Sequence, residues 1–118
     1  MSQIKTNMQA MLDLVHQGSP IEAIQQYYAE DVEMVQPDGS QIQGKEQIIE
    51  HEKAFFSGIT EMREFEVYEY LVSGQTSFDF SKMDVTHEQM GEMNMRQASV
   101  MEWNEDGYVT RVQFYPES

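Results

Sequence analysis

The segment GKEQIIEHEKAFFSGI, residues 44–59, carries a carboxylate where its pattern calls for an apolar side chain. At about 100° per residue, Ile48, Ile49, Phe55, Phe56 and Ile59 gather into one helical arc, with Glu52 near its middle and His51 on its flank. A carboxylate on a buried face costs several kcal/mol unless it is paired or protonated. The same loss of water raises its pKa toward the range useful for proton transfer. Two readings follow. Glu52 is a general acid or base facing a pocket, or it is a structural glutamate bonded to Tyr28, Gln36 or a cation. His51 projects about 100° away from Glu52. It is either a proton shuttle or ligand-orienting group, or a helix-flank histidine at a rim or on the surface.

Other chemistries find little support. Neither His-Glu pair has the His-x-x-x-His spacing that sets two ligands on one helical face, so no metal site is expected. There is no nucleophile motif, phosphate-cradling glycine loop or dinucleotide fingerprint, and no cofactor is expected. Cysteine is absent from the 118 residues, which removes disulfides and thiolate chemistry. The 21 acidic and 7 basic residues give a formal net charge of −14, opposite to what nucleic acid or an anionic membrane surface would attract. No run reaches the roughly 18 apolar residues of a membrane span. The opening MSQIKTNMQAMLDLV lacks the features of a signal peptide, and a cytoplasmic setting is expected.

These candidates need elements to hold them. Ile4, Met8, Met11, Leu12 and Val15 recur at helical spacing, and Gly18 is placed to stop that helix. Ser19, Pro20 and Glu22 form the signature of a capping box opening a second, short helix, with Ile24, Tyr27 and Tyr28 among its inward candidates. The period then changes. Val32, Met34 and Gln36 lie on one face of a strand that runs into a Pro37-Asp38-Gly39 turn, and Ile42 belongs to a short return strand. From residue 63 the pattern is strand-like to the end, with hairpin turns at Gly74-Gln75 and Asn104–Gly107. The chain is expected to form one α+β domain over residues 1–118, three N-terminal helices packed in a curved antiparallel sheet with a pocket between them.

The segments IEAIQQYYAEDVEMVQPDG, GKEQIIEH and VMEWNEDGYVTRVQFY, in this order and spacing, resemble the nuclear transport factor 2-like superfamily, which includes SnoaL-like polyketide cyclases and ketosteroid isomerases. The resemblance implies a cone-shaped fold with an apolar cavity and a homodimer formed through the sheet. It also allows the isomerase positions to be checked singly. Gln36 stands where those enzymes place an aspartate base, and Met11 and Ser99 stand where they place a tyrosine and a protonated aspartic acid. Steroid isomerisation by that mechanism is therefore disfavoured. The cyclases use a strand aspartate and a histidine. His87 lies in the right region, but Asp79 and Asp84 precede it rather than follow it.

The strand MNMRQASVMEW alternates, so Met93, Met95, Gln97, Ser99, Met101 and Trp103 share one face. By the resemblance that face looks into the cavity, where Gln97 and Ser99 are hydrogen-bonding groups and Met101 and Trp103 apolar walls; the methionines and Trp103 suit a plain hydrophobic core equally well. Tyr28, Met34, Gln36 and Phe55 are expected to line it as well. In SFDFSKMDV two registers compete. One turns Phe78, Phe80, Lys82 and Asp84 inward, the other buries Met83 and Val85, and a bulge would reconcile them. An inward Lys82 would be a counter-charge for Glu52. The expected function is binding of a small apolar molecule, with cofactor-free isomerisation, cyclisation or hydration centred on Glu52. A non-catalytic ligand-binding or dimerisation module is the alternative.

Overall fold

The computed structural model describes residues 3–117, in which three helices lie in the concavity of a six-stranded sheet. The helices are α1 (Gln3–His16), α2 (Pro20–Tyr27) and α3 (Lys45–Ser57). The strands are β1 (Tyr28–Val35), β2 (Gln41–Gln43), β3 (Ile59–Ser73), β4 (Thr76–His87), β5 (Gly91–Trp103) and β6 (Val109–Pro116), in sheet order β2-β1-β6-β5-β4-β3. Every neighbouring pair is antiparallel except β1 and β6.

Curvature comes mainly from β3, a 15-residue strand laid against the 12 residues of β4. It absorbs its excess in register shifts at Ile59/Glu61, Met62/Glu64 and Val67/Glu69. Each extra residue bends and twists its strand, so the sheet wraps the helices instead of lying flat. Between β4 and β5 the register is unbroken from Thr76↔Glu102 to His87↔Gly91. The bulge considered for residues 80–83 is therefore absent, and the irregularity sits on the neighbouring strand.

Helix boundaries follow backbone chemistry. Gly44 precedes α3 with φ 98°, a conformation L side chains rarely adopt, and its N–H bonds Val32 O at 2.7 Å. The predicted continuation of α3 to Ile59 fails because Gly58 turns the chain, its N–H bonding Phe55 O, and Ile59 opens β3. The expected capping box is also absent. Ser19 caps α2 without a side-chain bond, and Glu22 instead accepts from Gln26 Nε2 at 2.8 Å, four residues along the exposed face. Tyr28 belongs to β1 rather than to the second helix.

Met8, Met11 and Leu12 of α1, Ile24 of α2, and Ile48 and Ile49 of α3 share one core with Val32, Val109 and Val112 of the sheet. Four residues expected to line the pocket belong to this core, and two of them, Met34 and Trp103, do not reach the cavity. Met34, 1 % exposed, is sealed within the cluster that also holds Ile48 and Ile49. Trp103 is buried with its Nε1 donating to Ser77 Oγ at 2.9 Å, which satisfies both groups away from water.

Candidate functional site: an acidic, apolar-walled cavity

Between the helices and the far half of the sheet lies a cavity of about 730 Å³. Its exposed lining residues, Pro37, Asp38 and Ser40 after β1, His51 and Ala54 of α3, and Gln89 and Met90 of the β4–β5 hairpin, mark the mouth. Behind them the wall is mostly apolar, built of aromatic rings, methionine thioethers and aliphatic side chains. Glu52, His51, Tyr28, Gln36, Phe55, Gln97, Ser99 and Met101 all contribute to it.

Glu52 is delivered by the third turn of α3. Ile48 and Ile49 of the same helix are anchored in the core, which fixes the rotation of α3 and turns Glu52 toward the cavity. About a quarter of its side chain is exposed. Burial pushes its carboxyl up to about 7. Neither Tyr28 nor Gln36 hydrogen-bonds it, and Lys82 pairs with Glu64. Gln36 Nε2 lies 2.8 Å from His51 Nε2 instead, and that same ring nitrogen is 3.8 Å from Glu52 Oε2. The adjacent residues thus come closer than their helical separation suggested, because Gln36 holds the His51 ring over the helix flank.

Asp79 is the group the sequence reading did not select. In the observed register the odd-numbered residues of β4 face inward: Ser77, Asp79, Ser81, Met83, Val85 and His87. Asp79 is 4 % exposed and enters the cavity wall directly opposite Ser99 of β5. Burial raises its carboxyl to about 7, against a smaller downward pull from a hydrogen bond with the Ser99 hydroxyl. The even-numbered side chains point away. Lys82 therefore pairs with Glu64 at 3.2 Å on the other face and supplies no counter-charge to Glu52.

Tyr28 stands between these acids electrostatically. Burial, then the charges of Glu52 and Asp79, hold its hydroxyl well above its ordinary range, so it remains a hydrogen-bond donor. Tyr28 ends up 6 % exposed at the start of β1, within the cavity wall.

His87 has a different role from the one the cyclase comparison suggested. A carbonyl oxygen only accepts, so the 3.0 Å contact with Phe55 O makes Nε2 the N–H donor. Nδ1 then accepts from the Gln89 backbone N–H at 3.2 Å. The ring also stacks on Phe55, with centroids 5.1 Å apart. Both nitrogens are committed to structure. Asp79 and His87 share a face of β4 but lie eight residues apart, at about 3.3 Å per residue, which is too far for one acid–base pair.

Among the described residues no group of three His, Cys, Asp or Glu side chains is placed to hold a metal ion. No described helix is long and apolar enough to cross a membrane.

A wrapped six-stranded sheet with three helices in its concavity defines the α+β cone fold. The family model of the SnoaL-like domain matches residues 8–112, and the chain belongs to that family. None of the curated proteins matches it. Among solved structures, a Mesorhizobium loti protein assigned to the SnoaL-like polyketide cyclases superposes with TM-score 0.85 at 22% identity, over 98% of this chain and 99% of that one. A Burkholderia pseudomallei protein of the nuclear transport factor 2-like class, itself of unknown function, gives 0.80 at 18% identity over 99% and 92%. An Agrobacterium tumefaciens protein assigned as an isomerase of the SnoaL-like family gives 0.69 at 17% identity, each chain covered in full. At these identities the likeness shows the fold.

Proposed function

We propose that this protein is a cofactor-free acid–base catalyst that isomerises or cyclises a small, largely apolar molecule. One observation carries the reading: two desolvated carboxylates, Glu52 from the helix layer and Asp79 from the sheet, open into one apolar-walled cavity, and burial pushes each to about 7. Near neutral pH such a pair holds a base and an acid together, with proton affinities matched to the task. Glu52, the less buried, takes a proton from a carbon next to a carbonyl. Asp79 in its protonated share, with Tyr28, donates to the oxygen on which charge develops. Gln97 and Ser99 orient the ligand, and His51, half-exposed beside Glu52, passes the proton to solvent.

The test uses small cyclic and aryl ketones as probes. In D₂O the protein should accelerate exchange of their α-protons, followed by NMR. Glu52→Gln should abolish exchange while leaving ketone-induced thermal stabilisation in place. Unchanged exchange in that variant removes Glu52 from the chemistry. Binding without exchange in the wild type favours the second reading, a non-catalytic binding module. The observation on its side is that Gln36, where the isomerases carry a base, is an amide held by His51.

The protein is further proposed to work as a cytoplasmic homodimer joined through its outer sheet face. The cysteine-free composition supports the setting. Direct cross-strand pairing places Leu71, Phe78 and Val100 in one row and Phe80, Ala98 and Tyr115 in the next, a contiguous apolar patch on the convex side. Light scattering should give twice the chain mass, and Phe80→Glu should give the single-chain mass.

A further inference from the structure

The Glu52–Asp79 cavity has an unusual charge inventory. All seven Lys and Arg residues fall within the described chain, and none lines the cavity. Lys45 pairs with Glu30, Arg63 with Asp84, Lys82 with Glu64 and Arg111 with Glu33, all away from the cavity. Lys53 and Arg96 are exposed, and Lys5 lies on an exposed position of α1. The paired cations thus sit away from the cavity, and neither cavity acid, the partly exposed Glu52 or the nearly sealed Asp79, has a Lys or Arg in its wall. Asp79, 4 % exposed, has the Ser99 hydroxyl for company and no cationic partner. The one ionisable nitrogen near Glu52, His51 Nε2, is engaged by Gln36 and sits on a side chain 45 % exposed.

An isolated ionised carboxylate in an apolar wall is a standing electrostatic cost, and a like charge brought beside it adds to that cost. A cation brought there relieves it. The rest of the wall suits an organic cation with an apolar frame, since Phe55, Phe56, Phe65, Phe114 and the ring of Tyr28 offer faces that attract ammonium groups. A net charge of −14 also draws cations toward the molecule and repels anions.

We infer that the cavity takes a positively charged molecule on a hydrophobic frame, an alkyl- or arylalkyl-ammonium compound, seated with its nitrogen at Glu52 and Asp79, and that it rejects organic anions. The inference rests on the reading of this cavity as a ligand site and adds the ligand's charge. It does not depend on any reaction taking place.

Three probes of one shape test it: 4-phenylbutylammonium, 4-phenylbutanol and 4-phenylbutyrate. Each is titrated calorimetrically into the full chain at pH 8, on the alkaline side of both acids, in about 0.15 M salt to damp surface electrostatics. The ammonium should bind at least about tenfold more tightly than the alcohol, and the carboxylate more weakly than either. A Glu52→Gln/Asp79→Asn double variant keeps nearly all of the protein's net charge. It should still bind the alcohol, with the ammonium now within about twofold of it, which separates a site effect from the general field. An alcohol that matches the ammonium, or a carboxylate that binds best, overturns the charge assignment and leaves the cavity reading standing. No binding by any of the three overturns both. Discrimination that survives in the double variant also overturns the assignment.

Discussion

Asp79 and Ser99 face each other across the β4–β5 ladder, and both side chains enter the cavity that Glu52 approaches from the helix layer. The pairing sets an acid with no cationic partner against a hydroxyl, in a wall otherwise built for apolar contact. Its consequences can be measured.

The first concerns rate against pH. In the proposed reaction Glu52 acts ionised and Asp79 protonated, each with its carboxyl pushed by burial to about 7, so activity should rise and then fall within a narrow bell centred close to neutrality. His51 on the same helix lies 3.8 Å from Glu52, and the charges of Glu52 and Asp79 both act on Tyr28, so the limbs report these groups together. Asp79→Asn should remove the alkaline limb and lower kcat by about tenfold to a hundredfold, since the amide still donates a hydrogen bond. A flat profile from pH 5 to 9 would take both acids out of the mechanism.

Stability should carry the same signature with a definite sign. Asp79 has a folded-state pKa of about 7 against 3.8 unfolded, so the folded chain holds this proton more tightly. Between those values the folded state binds more protons, and stability falls as pH rises through the window. The full cost, on the order of 4 kcal/mol, is reached above pH 7. Asp79→Asn should therefore gain on the wild type progressively from pH 4 to pH 8 in urea melts. A difference independent of pH would show that Asp79 is stabilised by something not seen here.

Gly58 is fixed by a neighbour rather than by its own backbone. A Cβ there would run into the His87 ring, which is held by Phe55 O and the Gln89 N–H. Gly58→Ala should cost about 2 kcal/mol by chemical denaturation, as the ring is driven off its two bonds. A cost under a few tenths of a kcal/mol would show that His87 has room to move.

Trp103 and Ser77 form the buried polar bond at the core edge of the same sheet. Ser77→Ala strands the indole N–H and should cost about 1–3 kcal/mol, whereas adding Trp103→Phe removes the stranded donor. A double-mutant cycle should show strong coupling between the two positions. Additive losses would mean that the bond contributes nothing beyond packing.

Much of this was legible in the sequence. Helical spacing placed Glu52 on the inward arc of α3 and located the core of α1. Clean alternation gave the inward face of β5, since its methionines fall on one side and Arg96 and Glu102 on the other. The family likeness rested on the order of segments and matched the observed topology. What failed were features that depend on a single contact. Ser19 and Glu22 have the right spacing for a capping box, yet Glu22 bonds Gln26. Met34 and Trp103 have the right polarity for a cavity wall, yet the core claims them.

Asp79 marks the boundary most sharply. Local sequence determined that the segment TSFDFSKMDVTHEQ is strand-like, because apolar and polar residues alternate along it. It did not determine which face is inward, because Phe78 and Phe80 compete with Met83 and Val85 and either register buries apolar area. That choice was made by the unbroken ladder to β5, with the bulges placed on β3 instead. A side chain's proton affinity depends on how much water surrounds it, and only the assembled walls of the cavity set that for Glu52 and Asp79.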